Sequence, residues 1–248
     1  MQLPLFKCFI ILGVMPLIFS GCSSPTKQQT TTTHPTPTIQ KNQIYIPTQS
    51  QIAPADPKWI ASPPADYVMW LSNSGNKARV KEYEKYLQDN RVTRVAPTHQ
   101  ILRSARSWQQ CGRDPYSVPS PELWDNALPT LKILQYLVDT QVLRDFEITS
   151  VYRDYSLNLC AGGAAGSKHV YNSAIDFRLG PVSGHTTTDY LRIEDTKRKL
   201  CDFWYQYGQT LNMGLGVYAS GQIHIDTQGY RSWGPDLTRN SSICNRGY

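Results

Sequence analysis

The chain begins with one apolar run, Phe9 to Phe19, which carries Pro16 and is too short for a comfortable membrane span. From Ser23 to about Lys58 the residues are mostly Thr, Gln and Pro, and no apolar period is present. Regular patterning starts near Trp59. Asn76 to Asp89 reads as an amphipathic helix, with Val80, Tyr83, Tyr86 and Leu87 at helical spacing. Ser120-Pro121-Glu122 signals a second helix, an N-cap followed by Pro in the first turn. That helix carries Leu131, Leu134, Gln135 and Val138 along one side, with Pro129 as a candidate kink. Phe146 to Tyr152 alternates as a strand. Ala174 to Leu179 alternates too, sending Ile175, Phe177 and Leu179 to one face and Asp176 and Arg178 to the other. A third helix is expected over Thr196 to Leu211, its apolar face made by Leu200, Phe203, Trp204, Tyr207 and Leu211. Met213 to Tyr218 and Gln222 to Thr227 read as two short strands joined through Ala219-Ser220-Gly221. Helices come first and strands mix in later, which predicts an α+β fold, and no repeat of 20 to 50 residues is visible.

The pattern divides the chain into a leader (1–21), a disordered Thr/Pro/Gln-rich tether (22–58) and one folded domain (59–248). A short basic start, an apolar run and Phe19-Ser20-Gly21-Cys22 fit a secretory signal that ends in a motif resembling the bacterial lipobox. Cys22 is then the expected lipidation site, and an acylated N-terminus is a stable membrane anchor. Ser23 in place of Asp resembles outer-membrane sorting. The expectation is a bacterial outer-membrane lipoprotein facing the periplasm, on a tether reaching about 30 to 35 Å or more. Without Cys8 and Cys22, the six cysteines reduce to Cys111, Cys160, Cys201 and Cys244. They form no C-x-x-C, and in an exported protein they imply two disulfides whose pairing the sequence leaves open.

Apolar residues make up 40%, enough for a core, and charged residues only 18%, which excludes a highly charged disordered protein. The net charge is +6, but Lys197-Arg198-Lys199 is the one tight basic cluster, and it reads as a solvated helix face. A nucleic-acid partner is therefore not expected. Fifteen Tyr and six Trp suit a carbohydrate or peptide cleft.

Three places carry chemistry. His169 lies on the loop that leads into the strand bearing Asp176. In Gln222-Ile223-His224-Ile225-Asp226 the two Ile face the core, so Gln222, His224 and Asp226 share the opposite face. Two strands thus present polar groups on a non-core face, as a cleft floor requires. His169, Asp176 and His224 match the ligand set of a catalytic zinc site, two imidazoles and one carboxylate with a fourth position open. Zinc there would polarise a substrate carbonyl and activate water. Each of these residues read alone is more simply a hydrogen-bonded polar group. Ser150-Val151-Tyr152-Arg153 ends a strand, and Arg153 there is either a two-pronged carboxylate clamp or a surface cation.

The ordered set resembles the zinc D-alanyl-D-alanine peptidases. That group contains D,D-carboxypeptidases, the vancomycin-resistance D,D-dipeptidase and murein endopeptidases, and shares a fold with the Hedgehog signalling domain. Ser150 to Arg153 resembles the family's Ser-x-Tyr-Arg. Gly162-Gly163 with Ser167 to Asp176 resembles its first zinc segment. Gly214 to Tyr218, His224-Ile225-Asp226-Thr227 and Arg231-Ser232-Trp233-Gly234 resemble its last segment, in the version found in cell-wall endopeptidases. The likeness covers about Glu147 to Gly234. It implies a small antiparallel sheet flanked by helices, with zinc on His169, Asp176 and His224, and it makes Arg153 and Ser167 candidates for holding the substrate's carboxylate or carbonyl oxygen.

Two departures stand out. Asn172 replaces a Gly of the dipeptidase members, and Asn tolerates positive φ. Gly221 and Gln222 stand where different members place a catalytic Glu and a His. Asp226 is then the first candidate for general base and His185 the second, although Asp226 can instead orient His224. The expected function is a zinc metallopeptidase of peptidoglycan stem peptides or cross-links, endopeptidase before carboxypeptidase. The alternatives are a non-catalytic, zinc-containing wall-binding lipoprotein and a zinc-free spacer. Oligomeric state is not readable.

Overall fold

The computed structural model describes residues 38–40, 43–45, 62–183 and 185–245. The leader, Cys22 and the rest of the tether lie outside the described residues. Within the stretch read as a tether, Thr38–Gln40 (β1) and Gln43–Tyr45 (β2) pair antiparallel.

Helices α1 (Ala65–Leu71), α2 (Ser74–Asp89), α3 (Thr98–Ile101) and α4 (Trp124–Asp139) precede the main sheet. The sheet comprises β3 (Phe146–Ser150), β4 (Ala174–Leu179), β5 (Gly214–Val217), β6 (Gln222–Asp226) and β7 (Arg231–Trp233). Helix α5 (Tyr155–Cys160) follows β3, and α6 (Thr187–Tyr207) links β4 to β5. The strand order is β3-β4-β6-β5-β7. The fold is α+β, and the sheet is antiparallel except at its edge, where β7 runs parallel to β5.

Local chemistry sets most boundaries. The Asn73 side chain accepts from Gly75 N at 3.0 Å and starts α2 two residues before the periodic stretch. Val80, Tyr83 and Leu87 of α2 are buried as the spacing predicts. Ser120 introduces a 3₁₀ turn, Pro121–Leu123, rather than the α-helix itself, which begins at Trp124 and holds Pro129 inside it. Helix α6 starts nine residues earlier than its apolar face suggests. A capping box sets that start: Thr186 Oγ1 accepts from Asp189 N at 3.1 Å, and Thr186 N donates to Asp189 Oδ2 at 2.9 Å.

Ile175, Phe177, Ile223, Ile225 and Leu215 of the central strands are all at most 1% exposed and pack with Leu131, Leu134 and Leu137 of α4 and Leu200 of α6. Each such side chain contributes about 1.5–3 kcal/mol on burial. Filling this face of the sheet with aliphatic groups leaves the polar alternates to the other face. Two disulfides, Cys111–Cys160 and Cys201–Cys244, tie the segment before α4 to α5 and the C-terminal turns to α6.

Candidate metal centre

The register of β4 against β6 places Asp176 directly opposite His224, with Arg178 opposite Gln222 and Ala174 opposite Asp226. His169 reaches the same point from the turn before β4, which Asn172 closes at φ 56°. One acceptable donor atom from each of His169, Asp176 and His224 lies within 4.8 Å of the others. His169 Nε2 is 3.2 Å and His224 Nδ1 2.8 Å from the same oxygen, Asp176 Oδ1.

The outward sides of all three are anchored. His169 Nδ1 donates to the Val151 carbonyl at 2.5 Å, which leaves Nε2 turned inward. His224 Nε2 donates to Asp226 Oδ2 at 3.0 Å, which leaves Nδ1 inward. Asp176 Oδ2 accepts from Arg153 Nη2 at 2.5 Å. Arg153 is itself fixed by its Nε, which donates to Ser150 Oγ at 2.7 Å, and Ser150 Oγ donates to the Ser104 carbonyl. Such outer partners fix the tautomer and ring orientation of a metal ligand.

The charges follow from this arrangement. Burial works against ionisation of Asp176, yet His169 and His224 hold its carboxyl well below the usual range. Burial would lower His224, but the bonds to Asp176 and Asp226 outweigh it and push the imidazole up to about 9. His169 is lowered, chiefly by burial, against the pull of Asp176. Without a metal, the proton on His224 Nδ1 sits between the two groups that would otherwise share a cation. Metal binding here must displace that proton.

The other sequence candidates fall in different places. Asp226 is fully buried, on the far nitrogen of His224, and also accepts from Gln228 N at 2.9 Å and Arg231 Nη2 at 2.6 Å. Its oxygens face away from the convergent donors, so its geometry is that of an orienting group. Arg153 points into the site and is engaged by Asp176. Ser167 is half-buried on the turn before His169, and its hydroxyl makes no hydrogen bond among the described residues. His185 makes its contacts elsewhere: Nε2 bonds the Pro181 carbonyl at 2.8 Å and the ring packs on Tyr190. The Gln222 amide donates to Thr149 Oγ1 at 2.7 Å.

Two aromatic residues without an assigned role complete the wall. Trp233 lies 5.2 Å from the His224 ring and donates its Nε1–H to the Tyr218 hydroxyl at 2.8 Å. Gly216 makes room for this indole, because a Cβ there would stand 2.7 Å from it. Arg231 covers the outer face of Trp233 at 5.0 Å. The Arg-x-Trp spacing was visible in the sequence, but the contact to His224 depends on the parallel pairing of β7 with β5.

Residues 100–206 match the family model described as Peptidase M15. Over this segment the chain is similar to the Peptidase M15 family. The match contains His169, Asp176 and Arg153 and stops before His224, which the β4–β6 register supplies. No curated protein and no solved structure matches the chain. Peptidase M15 proteins are in general zinc-dependent metallopeptidases. Two imidazole nitrogens and one carboxylate oxygen, each backed by an outer hydrogen bond, suit zinc as a donor set, so this group can hold the metal.

Proposed function

We propose that the chain is a zinc-dependent peptidase that hydrolyses peptide bonds of peptidoglycan, in the stem peptides or their cross-links. The observation that carries the reading is the convergence of His169 Nε2, Asp176 Oδ1 and His224 Nδ1 with every outward atom anchored. Zinc, when bound, supplies Lewis-acid polarisation of a carbonyl and acidifies water. The chain's residues do the rest. Val151 and Asp226 hold the two imidazoles in their ligating tautomers. Arg153 keeps Asp176 aimed, and the two imidazoles keep it ionised. Burial pushes the Tyr218 phenol above its ordinary pKa, so it stays protonated, and its oxygen already accepts from Trp233. Its own O–H is therefore free to donate to a carbonyl oxygen as charge develops there. Endopeptidase action on cross-links is preferred over trimming of terminal D-alanine, on the His-Ile-Asp-Thr and Arg-x-Trp ending.

Location belongs to the same proposal: a lipoprotein anchored through Cys22, facing the periplasm from the outer membrane, with stem peptides as partners. Two disulfides fit that oxidising compartment. A second reading, a zinc-containing wall-binding lipoprotein without turnover, is favoured by one feature. Gly221 and Gln222 supply no further base, and the Gln222 amide is spent on Thr149.

The test is digestion of purified peptidoglycan by the protein, with zinc and with a chelator, read as muropeptide masses. Zinc-dependent loss of cross-linked dimers supports an endopeptidase, and loss of terminal alanine alone a carboxypeptidase. An unchanged digest from folded, zinc-loaded protein moves the conclusion to the binding lipoprotein.

A further inference from the structure

Strand β5 separates β6 from β7, yet side chains of β7 reach groups on β6. The register shows how. Gly214 of β5 pairs with Asp226 on one side and with Arg231 on the other, and Gly216 stands in the same way between His224 and Trp233. The alternates Leu215 and Val217 are buried in the core, so the two glycines clear the polar face of β5. A Cβ on Gly214 would lie 2.7 Å from Asp226 Oδ2 and 2.8 Å from Arg231 Nη1. Over this gap the Arg-x-Trp of β7 meets the His-x-Asp of β6.

Arg231 spans the gap in two directions. Its Nη2 donates to Asp226 Oδ2 at 2.6 Å and its Nη1 to Asp226 Oδ1 at 3.1 Å, a two-pronged grip. Oδ2 is the same oxygen that takes the Nε2 proton of His224 at 3.0 Å. Nη1 also donates to the Gly229 carbonyl at 3.0 Å, which ties the fork to the turn between β6 and β7. The guanidinium carbon lies 5.0 Å from the centre of the Trp233 ring, within cation–π range. That indole in turn holds the Tyr218 hydroxyl at 2.8 Å. One side chain therefore touches both groups that set His224 and Tyr218. It is 41% exposed, so its charge adds little to folding stability. What it supplies is geometry.

We propose that Arg231 is a positioning residue. Reaching across β5 at Gly214, it fixes Asp226 and through it the His224 ring, and its stack on Trp233 fixes the Tyr218 hydroxyl. The part that concerns Tyr218 rests on the peptidase reading. The part that concerns His224 needs no turnover.

Three readouts on the whole protein test it: zinc affinity by chelator competition, tryptophan emission, and steady-state hydrolysis of a soluble peptidoglycan peptide. Arg231→Met removes the fork and keeps the apolar stem. Zinc affinity falls about tenfold, the low end for loss of an outer partner. The emission shifts, and the shift is absent in a Trp233→Phe background. At saturating zinc, kcat falls about tenfold while KM changes by less than about twofold, because Tyr218 donates only as charge develops. Arg231→Lys restores part of each loss. Gly214→Ala drives a methyl between the partners and reproduces the zinc loss. Adding Arg231→Met to Asp226→Asn weakens zinc no further than Asp226→Asn alone, since Arg231 reaches His224 through Asp226.

Unchanged zinc affinity or emission in Arg231→Met, full additivity with Asp226→Asn, or a rise in KM alone overturns the role. So does failure of both Arg231→Met and Arg231→Lys to fold, which would make the side chain structural. The zinc and emission changes in a protein that hydrolyses no peptidoglycan uphold the role at His224 and overturn the peptidase reading.

Discussion

Asp226→Asn separates the two roles open to this carboxylate. Asp226 is fully buried and takes protons from four donors: His224 Nε2, Gln228 N and both terminal nitrogens of Arg231. An amide of the same shape has one oxygen to accept with and turns an NH₂ toward donors. Leaving one of those buried donors unmet costs about 1–3 kcal/mol of folding stability. The loss at Arg231 is small, because that side chain is 41% exposed and its charge is screened by water. The larger expected effect is on the metal. Without the carboxylate's charge the proton on Nε2 is held less firmly, and the Nδ1 lone pair is less strictly reserved for a cation. Loss of such a partner weakens metal binding about 10- to 100-fold, or about 1.4–2.7 kcal/mol. Zinc affinity is measured by competition with a chromophoric chelator, alongside urea unfolding of the metal-free protein. If Asp226 were the general base, turnover would fall about 10²–10⁴-fold with zinc affinity unchanged. That result would refute the orienting role.

Other consequences follow from the same contacts. His224 in the folded, metal-free protein titrates at about 9, above its ordinary 6.5. The stability this gives is fully present below pH 6.5 and is lost as pH rises through 9, at most about 3 kcal/mol. The urea midpoint of the metal-free protein should fall over that window and that of the zinc-loaded protein should not. A flat metal-free profile would contradict it. Replacing Cys111 and Cys160 by Ser reopens a loop of 49 residues' separation and should cost about 4 kcal/mol, read as a lower urea midpoint under oxidising conditions. Gly216→Ala drives a methyl into the Trp233 indole and should break its bond to Tyr218. Stability should drop by about 1–3 kcal/mol and the tryptophan emission should shift; an unchanged spectrum would show that the indole is not held as described.

The strands were the most legible part of the chain, because alternation is a local property. Ile175, Phe177, Ile223 and Ile225 face the core and Asp176 and His224 the other side, as two-residue periodicity requires, while the direct opposition of Asp176 and His224 comes from the β4–β6 register. The convergence of His169 with these two was readable only in outline, since a turn's reach depends on where the chain closes. The apolar pattern marks only the later turns of α6, because its first two turns expose Tyr190 and Leu191 and present little apolar face. The Thr186–Asp189 capping box was the available signal. The disulfide pairing, the Arg153–Asp176 ion pair and the contact of Trp233 with His224 are long-range facts that spacing does not encode.

The proposed function stands or falls on one zinc ion held by His169, Asp176 and His224. Anomalous diffraction at the zinc edge, from crystals of zinc-loaded protein, tests it directly. One strong peak is expected about 2.0–2.2 Å from His169 Nε2, a carboxylate oxygen of Asp176 and His224 Nδ1. A peak on other residues, or none in crystals whose protein carries zinc in solution, would contradict it.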